Sequence, residues 1–95
     1  MAVQVEWDLR KASSNLRKHF VSFEEASTVF DDSLAVIFDD LAHSKNEPRE
    51  IMIGHSIRGR LLVVGFIERQ TDILRIISAR LATRKETKEY EENNF

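Results

Sequence analysis

Arg58, Arg60, Arg69, Arg75, Arg80, Arg84 and Lys85 fall within one stretch, Ser56 to Lys85, that holds only two acids, Glu68 and Asp72. The stretch carries a net charge of +5 and the remainder −7, which together leave the chain at −2. Guanidinium groups offer planar forks of N–H donors that match phosphate oxygens bidentately, so an asymmetry built from arginine points to an anionic partner for one face. A solvated surface with ordinary ion pairs would account for the same charges taken alone.

Local sequence separates these cations. Arg80 precedes Thr83, a helix N-cap candidate, so it lies where a strand end meets a helix N-terminus and where backbone N–H groups favour anions. Arg75 sits between isoleucines, where a charge needs a partner; a structural ion pair with a core-edge carboxylate is the plain alternative to a functional role. Strict alternation sets Leu74, Ile76, Ser78 and Arg80 on one face and Ile73, Arg75, Ile77 and Ala79 on the other. Arg75 and Arg80 then leave opposite sides, although a terminal Arg80 can reach around the edge. Arg58 and Arg60 flank Gly59 at a hairpin tip, and Glu47 and Arg49 flank Pro48 just before a strand.

Other chemistry is thinly represented. His19, His43 and His55 are not at metal-ligand spacing, and Asp31-Asp32 and Asp39-Asp40 fit helix-end and turn roles better than a cation site. There is no Gly-rich phosphate loop and no Ser/His/Asp nucleophile signature, so neither metal nor cofactor is expected. If the anionic partner is RNA, cleavage needs only in-line attack of a 2′-OH on its own phosphate. A base relieves the 2′-OH of its proton, an acid protonates the leaving 5′-oxygen, and cations stabilise the charge that develops on phosphorus. Arginines fill the third role; His19, Glu47 or Tyr90 could move the protons, and spacing does not choose among them.

The elements that must hold these groups follow from periodicity. Val3 to Trp7 alternates as a half-buried strand, and Asp8 caps a helix from Leu9 to Phe20 with Leu9, Ala12 and Leu16 toward the core and Lys11, Asn15 and His19 on a polar stripe. Ser22 to Glu25 is a capping box, with Val21 and Ala26 as its staple, opening a helix that carries Phe23, Ala26, Val29 and Phe30 and ends near Asp31-Asp32. Ala35 to Phe38 reads as a strand and Asp39 to Pro48 as a polar loop. Glu50 to Ile57, Leu61 to Glu68 and Ile73 to Ala79 form a meander, after which Thr83 to Glu86, a second capping box, opens a final helix to about Glu92. The order expected is β-α-α-β-β-β-α, an α+β class with helices packed on one face of a mainly antiparallel sheet.

A chain of 95 residues with 42% apolar and 32% charged residues suits one small soluble domain spanning 1–95. It has no Cys, which removes disulfides, thiolate nucleophiles and Cys-bound zinc and makes a reducing cytoplasm the simplest expectation. The apolar run Leu61 to Ile67 is far short of the roughly 20 residues that span a bilayer, and Glu6 and Asp8 near the start do not suit a signal peptide.

A longer pattern is then visible. It runs from Val5-Glu6-Trp7-Asp8 through Lys11, Asn15 and Lys18-His19 to Val21-Ser22-Phe23-Glu24-Glu25-Ala26 and Val29-Phe30-Asp31-Asp32. It continues with Glu47-x-Arg49, Ile53-Gly54-x-Ser56, Arg60 to Val64 and Arg75-Ile76-Ile77-Ser78-Ala79-Arg80, and closes with Ala82-Thr83, Glu86 and Tyr90-Glu91. This pattern strongly resembles the BrnT family, toxins of bacterial type II toxin–antitoxin modules. The resemblance implies a RelE-like fold and a metal-independent endoribonuclease that cleaves RNA and arrests growth in the bacterial cytoplasm. It also implies a cognate BrnA-type antitoxin through which operator DNA is contacted only indirectly, and no membrane partner. By matching position, Arg49, Arg60 and Arg80 carry the active site, with Glu47 and His19 as further catalytic candidates. Arg58, Arg75, Arg84, Lys85 and Lys11 are expected to bind RNA, and the three catalytic arginines to share one pocket.

Two positions depart from the family. Phe20 stands where Gly usually follows Lys-His, which suggests a different helix exit or more local burial; Ser33 stands where Pro is frequent. The alternative reading is a non-catalytic antitoxin-binding or RNA-binding module, a degenerate toxin.

Overall fold

The computed structural model describes residues 3–43 and 47–94; positions 44–46 of the expected polar loop, and the side chain of His43, lie outside the described residues. Five strands form one sheet: β1 (Gln4–Trp7), β2 (Val36–Asp39), β3 (Glu50–His55), β4 (Leu61–Gln70) and β5 (Ile73–Leu81). Three α-helices accompany them, α1 (Leu9–His19), α2 (Phe23–Ser27) and α3 (Arg84–Asn94), with single 3-10 turns at Thr28–Asp31 and Leu41–His43. Every strand candidate forms, so the order is β-α-α-β-β-β-β-α, one strand more than the expected string.

The sheet order is β1-β5-β4-β3-β2, antiparallel except for the parallel β1–β5 pair. β4 is central because it is apolar on both sides. Leu62, Val64 and Phe66 meet Val21, Phe23, Ala26 and Val29 from the α1–α2 layer, whereas Val63 packs with Ile53 and Tyr90 on the reverse. The hairpin between β3 and β4 turns on Gly59 at φ +80, a conformation open to glycine at little cost.

The helices do not all share one face. α3 carries Tyr90 into the cluster with Ile53 and Val63 and so covers one end of the opposite face, correcting the one-sided expectation. Its direction is set locally. Thr83 Oγ1 accepts the Glu86 N–H at 3.2 Å and Glu86 Oε1 accepts the Thr83 N–H at 2.8 Å, a complete capping box that turns the chain back over the sheet.

α1 is rotated from its expected setting. Leu9 is 80% exposed, whereas Asn15, assigned to the polar stripe, is only 7% exposed. The reason lies in β5: β1 pairs only as far as Trp7↔Ile76, leaving the outer edge of β5 without a strand from Ile77 on among the described residues. Asn15 Nδ2 donates to the Ala79 and Val21 carbonyls at 2.8 and 3.0 Å, and its Oδ1 accepts the Ala79 N–H at 3.1 Å. A side-chain amide thus replaces one peptide unit of the missing strand, and satisfying those buried backbone groups outweighs burying Leu9.

The α1 exit differs from expectation too. Phe20 ends the helix at φ 58, the left-handed conformation a glycine would adopt, and its side chain is 76% exposed. The exit is of the ordinary kind, with neither a new route nor local burial.

Candidate functional site

On the sheet face that α1 and α2 leave open, β3, β4 and β5 frame a cleft of about 330 Å³ beside α3. Ile51, Val63 and Ile77 give it apolar walls, and Asp40, Arg49, Ser78 and Arg80 give it polar ones. Arg49 follows the parity of Ile51 and Ile53, and Arg80 pairs in register with Val63, so both project to this side. The Asp40 N–H donates to the Arg49 carbonyl at 2.8 Å, holding the chain beyond β2 against the start of β3.

A register skip in β5 shapes the cleft. Phe66 pairs with Ile76 and Gly65 with Ser78, so Ile77 is an extra, bulged residue. The bulge breaks strict alternation: Ile76 and Ala79 both face the helix layer, while Arg75 and Arg80 share the open face instead of leaving opposite sides. Gly65 lies beneath Ser78, where an added Cβ would sit 2.7 Å from the Ser78 hydroxyl. A side chain at position 65 would turn that hydroxyl into another rotamer.

Arg80 is held in place. Its Nη1 and Nη2 each donate to a separate Glu86 oxygen at 2.7 Å, and Nη1 also reaches the Leu81 carbonyl at 3.3 Å. The hydrogen bonds from Arg80 outweigh burial and hold the Glu86 carboxyl down at about 2. Arg80 therefore stays about half-exposed but fixed at the junction of β5 and α3.

Over the free edge of β5 lies a second cleft, lined by Lys11, Ser14, Asn15, Lys18, His19, Ile77 and Ser78. Ile77 and Ser78 line both clefts, so the two adjoin along the bulged strand. His19 and Lys11 thus lie beside the Arg49–Arg80 cleft, across that ridge.

Arg60 does not join it. Its parity is that of Leu62 and Val64, toward the α1–α2 layer, where Nε donates to Glu25 Oε2 at 2.9 Å and Nη2 donates to Glu25 Oε1 and, at 3.2 Å, to the Phe20 carbonyl. Ser56 Oγ donates to the same carboxylate at 2.7 Å, and the Arg60 hydrogen bond is the main cause that holds the buried Glu25 below the usual carboxylate range. The capping box at Ser22 is therefore half-formed: Ser22 Oγ accepts the Glu25 N–H at 3.0 Å, while the Glu25 carboxylate serves Arg60. The pocket expected to gather Arg49, Arg60 and Arg80 is divided, with Arg60 on the opposite side of the sheet.

The remaining candidates scatter. Arg58 is exposed, 3.9 Å from Glu25; Arg75 donates through Nε to Glu6 at 2.9 Å; Arg84 and Lys85 are exposed on the first turn of α3. Glu47 is exposed, outside both clefts, and lies 3.7 Å from Arg69. Tyr90 donates to Asp32 Oδ2 at 3.0 Å, and its oxygen lies 3.2 Å from His55 Nδ1; burial first and Asp32 second push its hydroxyl up. Asp32 also accepts the Leu34 and His55 N–H groups, the turn role expected of it. Among the described residues no group of His, Cys, Asp and Glu is arranged to hold a metal ion, and no helix is long and apolar enough to cross a membrane.

Ser78 and Lys18 are not singled out by residue chemistry, although they stand inside the Arg-Ile-Ile-Ser-Ala-Arg and Lys-His blocks, and Asp40 reads in the sequence as a turn acid and not as part of the site. Nothing local marks Asp40, which reaches the cleft through the fold.

A family model described as "Ribonuclease toxin, BrnT, of type II toxin-antitoxin system" matches residues 7–86, which include every residue lining the two clefts. The fold is similar to that in a 1.1 Å crystal structure of the Brucella abortus ribonuclease toxin BrnT, with a TM-score of 0.66 and 24% identity over 87% of this chain and 100% of that one. Among curated proteins none matches the chain.

Proposed function

Since the chain belongs to the BrnT family of ribonuclease toxins of type II toxin–antitoxin systems, we propose that it is a metal-independent endoribonuclease that cleaves RNA in the bacterial cytoplasm and arrests growth. A cognate BrnA-type antitoxin neutralises it and supplies any contact with operator DNA. The architecture, in this reading, is RelE-like.

One observation carries the proposal: Arg49 and Arg80, distant in sequence, line the same open cleft with a serine hydroxyl and an acid. Arg80 is preorganised by Glu86, so it stabilises charge developing on a phosphate without first losing the entropy of a free side chain. The 2′-oxygen attacks phosphorus, the P–O5′ bond breaks, and the products are a 2′,3′-cyclic phosphate and a 5′-hydroxyl. Asp40, on the cleft wall, accepts the 2′-OH proton, and His19, across the Ser78 ridge, donates one to the leaving oxygen. Glu47, outside both clefts, is assigned to its surface pair with Arg69.

The test is incubation of purified protein with end-labelled RNA in EDTA, with products identified by their termini. Cyclic-phosphate ends, and a loss of at least about tenfold in Arg80→Ala, are expected. Intact RNA in the presence of folded protein overturns the reading. The second reading, a non-catalytic module, draws on the pairing of Arg60 with Glu25 and Arg80 with Glu86. Normal growth on expression of soluble chain without its antitoxin would favour it.

A further inference from the structure

We propose that the cleft bounded by Lys11, Lys18 and His19 is a subsite for a second nucleotide, so that a single RNA strand crosses the free edge of β5 at Ser78. The inference rests on the ribonuclease reading and adds the direction of the substrate across the fold.

Geometry carries it first. The two clefts share Ile77 and Ser78 and have no other wall residue in common, so a chain leaving the Arg49–Arg80 cleft over this ridge enters the lysine cleft directly. The second cleft is about 280 Å³, large enough for part of a nucleotide but not a folded duplex.

The ridge itself is suited to a ribose-phosphate backbone. Beyond Ile76 no described strand pairs with the outer edge of β5, and Asn15 satisfies the Ala79 peptide groups alone. The Ser78 hydroxyl, kept in position by the missing side chain of Gly65, is exposed and has no hydrogen-bond partner among the described residues. It can donate to a phosphate oxygen or accept from a ribose hydroxyl.

Charge completes the case. Lys11 and Lys18 are exposed on α1; Asp8 is near enough to Lys11 for its carboxyl to be lowered by that charge, but the ammonium is not locked to it in a close ion pair. The arginines, in contrast, are mostly matched: Arg60 with Glu25, Arg75 with Glu6, Arg80 with Glu86 and Arg69 with Glu47. Compact ammonium groups on mobile stems suit a phosphate that must be gripped without fixed geometry.

Binding of 2′-deoxy oligonucleotides, which lack the attacking hydroxyl, tests the path by fluorescence anisotropy across a salt series. The wild-type chain is expected to bind a strand of about six nucleotides more tightly than a mononucleotide, which fills only one of the two clefts. The Lys11→Ala/Lys18→Ala double variant should lose about tenfold in affinity for the longer strand and little for the mononucleotide, with its log–log salt slope reduced by about 0.7 for each phosphate released. Lys88→Ala, on α3, serves as the control with unchanged binding. Equal affinities for both lengths in the wild-type chain, or equal losses for both in a folded double variant, overturn the subsite. Length-dependent binding that the double variant abolishes, in a protein that leaves RNA intact, would sustain the subsite while overturning the ribonuclease reading.

Discussion

Arg80 and Glu86 meet as two parallel hydrogen bonds, each guanidinium terminus 2.7 Å from its own carboxylate oxygen. The same carboxylate accepts the Thr83 N–H at 2.8 Å, so one side chain both caps α3 and orients the arginine of the cleft. The start of the helix and the geometry of the site are thereby one structural unit.

This coupling has a pH signature. The folded-state value of Glu86, about 2, lies below its ordinary 4.5, so its contribution is complete above 4.5 and is lost as pH falls toward 2. The pair is partly exposed and solvent screens it, so Glu86→Gln should cost only about 1 kcal/mol at neutral pH. Urea unfolding of both proteins at several pH values should show their stability difference shrinking across that acid window. A constant difference would show that Glu86 does not titrate with the pair.

Asn15→Ala removes the amide that stands in for a strand and leaves the Ala79 N–H and two carbonyls to find water in a closed place. Loss of several buried hydrogen bonds predicts a cost of about 3 kcal/mol, read by urea denaturation. Since Ala79 lies between Ser78 and Arg80, hydrogen exchange at the β5 edge should quicken more than exchange in β3. Uniform quickening would mean only global destabilisation.

What the sequence disclosed divides along physical lines. Capping at Asp8, Ser22 and Thr83 and the apolar runs of the strands are written in short-range preferences, and the helices start and the strands lie where expected, although α2 passes into a 3-10 turn after Ser27 and β5 departs from strict alternation. The faces were less legible. Burying Asn15 is favourable only because β1 stops at Ile76's partner, a fact held in the pairing of distant segments. The bulge at Ile77 likewise reverses the relation of Arg75 to Arg80 with no glycine or proline in β5 to announce it; the glycine at the skip, Gly65, stands on the paired strand. Arg60 and Arg80 are alike in sequence terms; only the fold gives one to Glu25 and the other to the cleft.

Phe20 stores strain that serves no visible contact of its ring. At φ 58 an L side chain is disfavoured by roughly 1 kcal/mol, and an exposed ring recovers little of that through burial. Phe20→Gly should therefore raise stability by about 1 kcal/mol, less the extra entropy glycine gains when unfolded. Thermal melts give the comparison. A lower Tm would show that the ring makes a contact worth more than the strain.

Arg60→Ala and Arg80→Ala separate a structural arginine from a catalytic one. Glu25, buried beside Val21 and Phe23, would keep Ser56 and a distant Arg58 as partners once Arg60 is gone. An acid deprived of its cation in such surroundings destabilises the fold, and Tm should fall by roughly 10 °C. Because Arg60 chiefly lowers the Glu25 pKa, stability lost in Arg60→Ala should be greatest above the ordinary carboxylate range and fade as acid protonates Glu25 in both proteins. Cleavage per folded molecule should stay within about twofold, since the guanidinium lies on the far side of the sheet from Arg49 and Arg80. Arg80→Ala should behave in the opposite way, with a smaller change in Tm and at least tenfold less cleavage. If Arg60→Ala instead abolished cleavage at full folding, the division of arginines between the two faces would no longer describe how the protein works, and Arg60 would have to leave Glu25 for the substrate.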